Sequence, residues 1–174
     1  MINKLGLAIL LTLAAQLPCL PRDIAGDVTR VIDGDTFKLY DGKKEHTIRM
    51  LAIDAPEKDQ AWGTGAKDTL ERLISGKKVV VSHIKRDIYH RDVGIVYAPI
   101  SGAHLVKMEN INEMMVCLGM AWFYKKYCGT LDFADEEDYA RDWKLGIWST
   151  ESPAIAPWEF RKLKRSVGIK SPQS

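Results

Sequence analysis

Four acidic side chains, Asp33, Asp35, Asp54 and Glu57, fall at the ends of segments that read as neighbouring strands. Carboxylates grouped in this way repel one another unless a cation lies between them. A hard cation such as calcium takes about six to eight oxygen ligands from carboxylates, backbone carbonyls and water. The grouping therefore predicts a cation site.

The same residues also have a plainer interpretation. Asp33, Gly34 and Asp35 can make only a turn, and residues 54–57 can only end a strand. An EF-hand loop is excluded, because the Asp, Asn and Gly positions that it needs after Asp35 are missing.

Arg49 interrupts the apolar run 48–53, where a charge is costly without a partner. A salt bridge to Glu57 or Asp35 is the structural alternative to a functional role. Arg91 stands at the start of a later strand. The planar guanidinium matches phosphate oxygens, so two arginines beside a bound cation predict a clamp for a phosphodiester.

The elements that must hold these side chains read as a short meander. Two Asp-Gly turns, at 33–34 and 41–42, separate β-branched runs, and residues 66–77 keep the spacing of a helix that Gly76 can end. The predicted strands cover residues 28–32, 36–40, 46–53, 79–84 and 93–97. Five short strands with a helix after the third suggest an OB-type barrel, a fold that holds nucleic acid.

The second half reads as helical. A helix over 112–118 ends at Gly119, and Phe133, Ala140 and Trp143 mark one face of another that ends at Gly146. Residues 161–165 are rich in Lys and Arg and read as a basic tail that wraps the surface or stays mobile. The net charge of +2 is too small to imply polyanion binding by itself.

Residues 1–22 read as a secretory signal peptide, because Lys4 precedes an apolar stretch over 5–15 that is too short to cross a bilayer comfortably. An uncleaved membrane anchor is the main alternative, and a buried helix would need polar periodicity. Export permits disulfides, and Cys117 and Cys128 are then a possible pair. The absence of C-x-x-C or clustered Cys and His spacing argues against a zinc site.

Five segments give a more specific indication. VIDGDTF, IRMLAIDAPE, DIYHRDVGIVY, NINEMMVCLGMAW and LGIWS, in this order, resemble the staphylococcal nuclease (thermonuclease) family over about residues 27–149. The resemblance implies an OB-fold barrel with three helices, calcium dependence, and cleavage of DNA and RNA that leaves 3′-phosphates.

The resemblance also implies roles for single residues. Calcium would be bound by the carboxylates of Asp35 and Asp54 and by the carbonyl of Ala55. Glu57 would be the general base, and Arg49 and Arg91 would hold the phosphate. Tyr89 is a candidate for nucleotide binding, whereas core packing is the expected role of Trp122, Tyr124 and Tyr127, with base stacking as the alternative.

Some positions depart from the family pattern. Ala55 replaces a threonine, which a carbonyl ligand tolerates, and His90 replaces a glycine, which could change the local turn. Residues 99–109 form a segment that is longer than its counterpart in the family, so the family pattern does not predict its course. Strict alternation also puts Arg49 and Asp54 on opposite faces of one strand, so curvature or a bulge must bring them together.

We therefore expect an α+β protein: a five-stranded OB-fold barrel with three flanking helices. Its parts are a signal peptide (1–22), a nuclease domain (23–150) and a basic tail (151–174). We expect an exported, periplasmic or secreted monomer that hydrolyses DNA and RNA and has no stable membrane association after signal cleavage.

Two other classes are weighed against this expectation. A non-catalytic OB-type module that binds nucleic acid would have gaps among the catalytic positions, yet Arg49, Glu57 and Arg91 are all present. An exported structural or adhesion domain would leave the placement of Arg49 and Glu57 unexplained.

Overall fold

The computed structural model describes residues 23–101, 106–149 and 154–166. The strands are β1 Ile24–Val31, β2 Thr36–Tyr40, β3 Glu45–Met50, β4 Ile53–Asp54, β5 Lys78–Arg86, β6 Asp92–Ser101, β7 Val106–Asn110 and β8 Trp122–Phe123. The helices are α1 Gly63–Ile74, α2 Ile111–Cys117, α3 Ala134–Asp142 and α4 Pro157–Ser166. Short 3-10 turns cover Lys125–Tyr127 and Gly146–Trp148.

Five of these strands close into a barrel. β1, β2 and β3 pair antiparallel in chain order, and β5 pairs with both β1 and β6. A parallel pairing between β3 and β6 closes the ring, and it places Arg49 opposite Val93. β7 extends β6 as an antiparallel hairpin, while β4 and β8 pair separately. The predicted α+β class with an OB-type barrel is confirmed.

Alternation along the strands fills the interior of the barrel. Phe37 and Leu39 of β2 and Ile48 and Met50 of β3 are almost completely buried, as the two-residue period of a strand requires. Helix α1 contributes its own apolar face to the same core. The backbone that carries the acidic residues is therefore anchored in a packed interior, where side chains have little room to shift.

Most of the predicted elements are present, and α1 ends just before Gly76, whose φ of 68° provides the left-handed stop. One expectation about a side chain is wrong, and one open question is answered. Trp143 does not belong to the buried face of α3, because it lies at the end of that helix and is 68% exposed. Cys117 and Cys128 are both free thiols, so the hypothesised pair is not formed.

The proposed signal peptide, residues 1–22, lies outside the described residues and stays a prediction. The described part of the basic tail contains α4, a helix that the sequence analysis did not predict. Within the described ranges, no helix is long and apolar enough to cross a membrane.

Candidate active site

A backbone turn inside the predicted third strand brings the first side chains of the site together. The strand breaks after Met50, and Ala52 adopts a left-handed conformation with φ 63°. The carbonyl of Ala52 accepts a hydrogen bond from the Tyr124 N–H at 2.8 Å, which holds the turn. Beyond it Asp54 faces Arg49, and the Arg49 Nη2 to Asp54 Oδ1 distance is 2.9 Å. Strict alternation along one strand would place Arg49 and Asp54 on opposite faces, and this turn brings them to the same side.

Arg49 links two of the predicted cation ligands. Its Nη1 lies 2.5 Å from Asp35 Oδ2, and its Nη2 bonds Asp54. The side chain of Asp54 is only 1% exposed and that of Arg49 is 16% exposed. Of the two salt bridges considered from sequence, the one to Asp35 is formed, whereas Glu57 pairs elsewhere. We call Asp35, Arg49 and Asp54 the barrel wall of the site.

The turn before β2 packs closely enough to fix the positions of its two aspartates. A Cβ on Gly34 would lie 2.7 Å from the Cβ atoms of both Ala55 and Ala66, so no larger residue fits. Asp35 Oδ2 accepts a hydrogen bond from the Ala55 N–H at 2.8 Å, which joins these two predicted cation ligands. Asp33 Oδ1 accepts one from the Asp35 N–H at 3.1 Å.

The electrostatics of this group are those of crowded carboxylates. Burial, reinforced by the charge of Asp35, raises the pKa of Asp33 to about 7. Burial also raises the pKa of Asp54, and the arginines that contact Asp54 oppose this change. Burial is therefore the main reason that Asp33 and Asp54 have raised pKa values.

Glu57 follows the wall on a short segment tied to the start of α1. Its N–H donates to Gln60 Oε1 at 3.1 Å, and its carbonyl accepts from the Gln60 N–H at 2.8 Å. Gly63 is required here, because a Cβ at that position would lie 2.0 Å from the Glu57 carbonyl oxygen. These contacts fix the backbone of Glu57 while its side chain remains 37% exposed at the cleft.

Arg91 reaches the same cleft from the loop between β5 and β6. Asp87 Oδ1 accepts hydrogen bonds from the Tyr89 and Arg91 N–H groups, and Asp87 Oδ2 accepts from Arg91 Nε at 2.7 Å. His90 takes up the left-handed conformation that a glycine would adopt, with φ 62°. The histidine therefore preserves the turn, and Asp87 orients the Arg91 guanidinium through Nε.

A third arginine, which the sequence analysis placed only in the basic tail, completes the group. Arg161 of α4 donates from Nη2 to Asp54 Oδ2 and from Nη1 to Glu57 Oε1, both at 2.7 Å. The contact spans more than a hundred residues of sequence, so no local pattern could reveal it. The sequence indicates this role only indirectly, because Arg161 lies in a basic segment at helical spacing from Trp158 and Lys164.

Aromatic side chains line the neighbouring part of the cleft. Trp122 is buried at 4% exposure, which agrees with the core role expected for it. Tyr127 is 48% exposed and lines the cleft, so core packing is wrong for this residue. Tyr124 also lines the cleft, and its ring stacks on Trp158 of α4 at 4.8 Å and 5°. Tyr89 lies on the Arg91 loop and is 72% exposed.

Asn112, the second residue of α2, ties the site to the barrel and was missed as a positioning residue. It is fully buried. Its Nδ2 donates to the Leu51 carbonyl at 2.8 Å, and its Oδ1 accepts from the Val96 N–H at 2.9 Å. The amide therefore holds the chain just before the Ala52 turn against β6.

All the predicted site residues border one cleft of about 850 Å³. They are Asp35, Arg49, Asp54, Ala55, Glu57, Tyr89 and Arg91. Within the described part of the chain, no group of three or more His, Cys, Asp or Glu side chains is arranged to hold a metal ion. A cation here would thus rely on two carboxylates, a backbone carbonyl and water.

Comparison with known proteins agrees with this combination of barrel and cleft. The model of a family described as staphylococcal nuclease homologue matches residues 47–150. A protein named "Uncharacterized endonuclease" from Escherichia coli is 40% identical over 147 residues, which cover 84% of this chain and 91% of that protein. "Micrococcal nuclease" from Shigella flexneri is 36% identical, with 83% and 84% covered. The chain belongs to the staphylococcal nuclease family.

Proposed function

We propose that the protein is a calcium-dependent nuclease that hydrolyses phosphodiester bonds of DNA and RNA and leaves 3′-phosphates. The observation that carries this proposal is the meeting of Glu57, Arg49, Arg91 and two buried aspartates in one cleft. A carboxylate that can take a proton and two guanidinium groups are what hydrolysis of a phosphodiester requires. The names of the relatives support the same activity.

The donor set fits a hard cation. Asp35 and Asp54 offer buried carboxylate oxygens, and Ala55 is joined to Asp35 by its own N–H. The ligands proposed here are all oxygen atoms, which suits calcium better than zinc. Asp35, Asp54 and the carbonyl of Ala55 would hold the ion, with water completing its shell. When bound, calcium would supply Lewis-acid polarisation of a phosphate oxygen.

Glu57 is assigned the proton transfer. Its segment is fixed by Gln60 and Gly63, while its carboxylate faces the cleft. From there Glu57 would accept a proton from the attacking water, a contribution of about a hundredfold to ten-thousandfold in comparable enzymes. The water oxygen would form a bond to phosphorus as the bond between phosphorus and the 5′ oxygen breaks. The 5′ oxygen would take up a proton from solvent and leave as a hydroxyl, so that the phosphate stays on the 3′ oxygen.

The two arginines are assigned to the phosphate. Charge grows on the phosphoryl oxygens as the water attacks, and preorganised donors stabilise that charge most where it develops. Asp87 holds Arg91 through Nε, and among the described residues no hydrogen bond engages the two terminal nitrogens of Arg91. Those nitrogens are the fork that suits a phosphate. Tyr89 and Tyr127 would contact the nucleotide beside it.

The proposal extends to the setting of the protein. The apolar stretch over residues 5–15 supports export to the periplasm or the medium, with residues 1–22 removed. We propose that the released protein acts as a monomer and is not held at a membrane.

The test uses the purified protein without residues 1–22, with single-stranded DNA and with RNA, in calcium, in magnesium and in excess chelator. We expect turnover in calcium, little in magnesium, which demands near-ideal octahedral geometry, and none with chelator. End-group analysis should find 3′-phosphates. Equal turnover in magnesium contradicts calcium dependence. Binding of nucleic acid without hydrolysis in any cation would instead favour the non-catalytic binding module.

A further inference from the structure

The C-terminal helix lies across the site and engages two of its components. Arg161 contacts both Asp54 and Glu57, and Trp158, one turn earlier, stacks on Tyr124. Two peripheral contacts accompany these, because Lys164 pairs with Asp59 and the Gln60 side chain donates to the Ile155 carbonyl. The described part of the basic tail therefore has a defined docking position on the cleft.

The contacts of Arg161 conflict with the roles proposed for its partners. Asp54 Oδ2 accepts from Arg161 Nη2, and Asp54 Oδ1 accepts from Arg49 and from Arg161 Nη1 at 3.3 Å. Both oxygens of this carboxylate are thus engaged by cations of the chain itself. Glu57 Oε1 accepts a hydrogen bond from Arg161 Nη1 at 2.7 Å, so one of its two carboxylate oxygens is already engaged by the same arginine.

Trp158 also occupies part of the site, at the aromatic end of the cleft. The Tyr124 and Trp158 rings are almost parallel, so one face of Tyr124 is covered by an indole. A nucleic acid base stacks on an aromatic ring in this way. A base and Trp158 cannot occupy the same face of Tyr124 together.

The attachment of α4 is of a kind that can open. Only Pro157 is buried in this helix, and Arg161 is 38% exposed. A segment with few buried apolar contacts opens locally at a much lower free energy than the whole domain. The core of the barrel does not depend on α4, because no residue of this helix belongs to the core cluster.

We propose that α4 is an autoinhibitory latch, in which Arg161 occupies the carboxylates and Trp158 occupies the base-stacking face until calcium and nucleic acid displace the helix. This inference rests on the proposed function, because it takes Asp54 as a cation ligand and Glu57 as the base. Release of α4 and binding of calcium are then coupled, and the coupling must act equally in both directions. Weaker docking of α4 must give tighter calcium binding.

The experiment measures calcium affinity by titration calorimetry, without nucleic acid, on the chain from residue 23 to 174. Four variants are compared with the unaltered protein: Arg161→Gln, Trp158→Leu, Lys162→Gln and Asp35→Asn. Lys162→Gln is the matched control, because it removes one charge from the same helix at a residue whose ion pair, among the residues that the structure describes, is with Glu159 alone. Hydrogen exchange of the α4 amides, with and without calcium, reports release of the helix directly.

We expect Arg161→Gln to bind calcium about tenfold more tightly and Trp158→Leu about fivefold more tightly, within the usual range of coupling between two sites. Lys162→Gln should leave the affinity unchanged. Calcium should raise the exchange of α4 amides in the unaltered protein, and in Arg161→Gln the exchange should be high without calcium. Trp158 makes the test specific, because its loss removes no charge from the cation site.

Each other outcome has a definite meaning. If only Arg161→Gln tightens binding, the effect is that of a local charge and the latch is wrong. The latch is also wrong if neither variant changes the affinity while Asp35→Asn abolishes binding, and in that case the calcium site stands. If neither the unaltered protein nor Arg161→Gln binds calcium, or if Asp35→Asn binds it as well as the unaltered protein does, the proposed cation site is wrong and the competition with Arg161 is excluded with it. Binding by Arg161→Gln and Trp158→Leu but not by the unaltered protein supports the latch.

Discussion

The two sides of the cleft are built in different ways. The barrel wall carries Asp35, Arg49 and Asp54 on segments whose neighbours are packed in the core, and the Asp54 side chain is 1% exposed. α4 contributes Arg161 from a helix whose only buried residue is Pro157. The wall therefore keeps its geometry as long as the barrel is folded, whereas the position of α4 depends on a few polar and aromatic contacts. Cation binding is assigned to the barrel wall, and control of access to the site is assigned to α4.

The largest expected effect is on the base that stands between the two sides. Glu57→Gln removes the proton acceptor and keeps the size of the side chain, so turnover should fall by roughly a hundredfold or more. Unfolding should be unchanged, because Gln60 holds the Glu57 backbone, and the partner of the Glu57 side chain, Arg161, lies on a helix that opens before the barrel unfolds. Turnover and thermal unfolding are measured together, with Glu71→Gln on α1 as the control. Near-normal turnover in folded Glu57→Gln would overturn the assignment.

The next largest effect is on turnover in variants of Arg49 and Arg91, which differ in burial. Arg49→Lys and Arg91→Lys both keep the charge and lose the planar fork, so each should lower turnover by about a hundredfold. Only Arg49→Lys should also lower stability, because Arg49 bridges the buried Asp35 and Asp54, whereas Arg91 is on a loop. Kinetics and denaturant unfolding of both variants test this. A lower stability of Arg91→Lys with unchanged turnover would mean that Arg91 only supports its loop.

The sequence predicted the rigid side far better than the loose side. Alternating apolar residues indicate which side of a strand is buried, and Asp-Gly pairs indicate turns. The sequence could therefore predict β2, the start of β3 and the clustering of Asp35 with Asp54. The end of β3 was not, because Ala52 takes a left-handed turn inside an unbroken apolar run. That turn is held by a hydrogen bond from Tyr124, which is distant in sequence.

The docking of α4 was beyond local patterns for a related reason. Its attachment consists of single contacts made by Trp158, Arg161 and Lys164, each with a partner far away in the chain. A short segment in which basic residues outnumber apolar ones is typical of a solvated tail as well as of a docked helix. Tyr127 was assigned to the core for a similar reason. A tyrosine in the sequence is as compatible with a buried core as with the lining of a cleft.

Two substitutions compare how much the barrel and α4 contribute to stability. Asn112→Leu leaves the Leu51 carbonyl and the Val96 N–H without their buried partner, so it should lower the free energy of unfolding by about 2 to 5 kcal/mol. Trp158→Leu should lower it by about 1 kcal/mol or less, because α4 can detach before the barrel unfolds. Urea unfolding of both variants tests the difference. Equal losses would mean that α4 and the barrel unfold as one unit.

The smallest expected effect is the pH dependence of stability that comes from two carboxylates, each with a pKa lowered by a side-chain hydrogen bond. A hydrogen bond from the buried His46 holds the pKa of Asp41 below its usual range, and a hydrogen bond from Lys164 does the same for Asp59. His46 also bonds Asp92 at the start of β6, so Asp41 belongs to the closure of the barrel, whereas Asp59 belongs to the docking of α4.

A carboxylate whose pKa is lowered on folding contributes stability that is fully present above its unfolded pKa, about 4, and that is lost as the pH falls through its folded value. At about pH 7, Asp41→Asn should therefore have a lower denaturation midpoint than the unaltered protein. The difference should shrink as the pH falls below about 4, because the protonated carboxyl then resembles the amide. Asp59→Asn should leave the midpoint unchanged at every pH, since α4 opens before the barrel does. A loss for Asp59→Asn as large as that for Asp41→Asn would mean that the helix is part of the cooperative fold, and the contrast between a rigid wall and a releasable helix would fail.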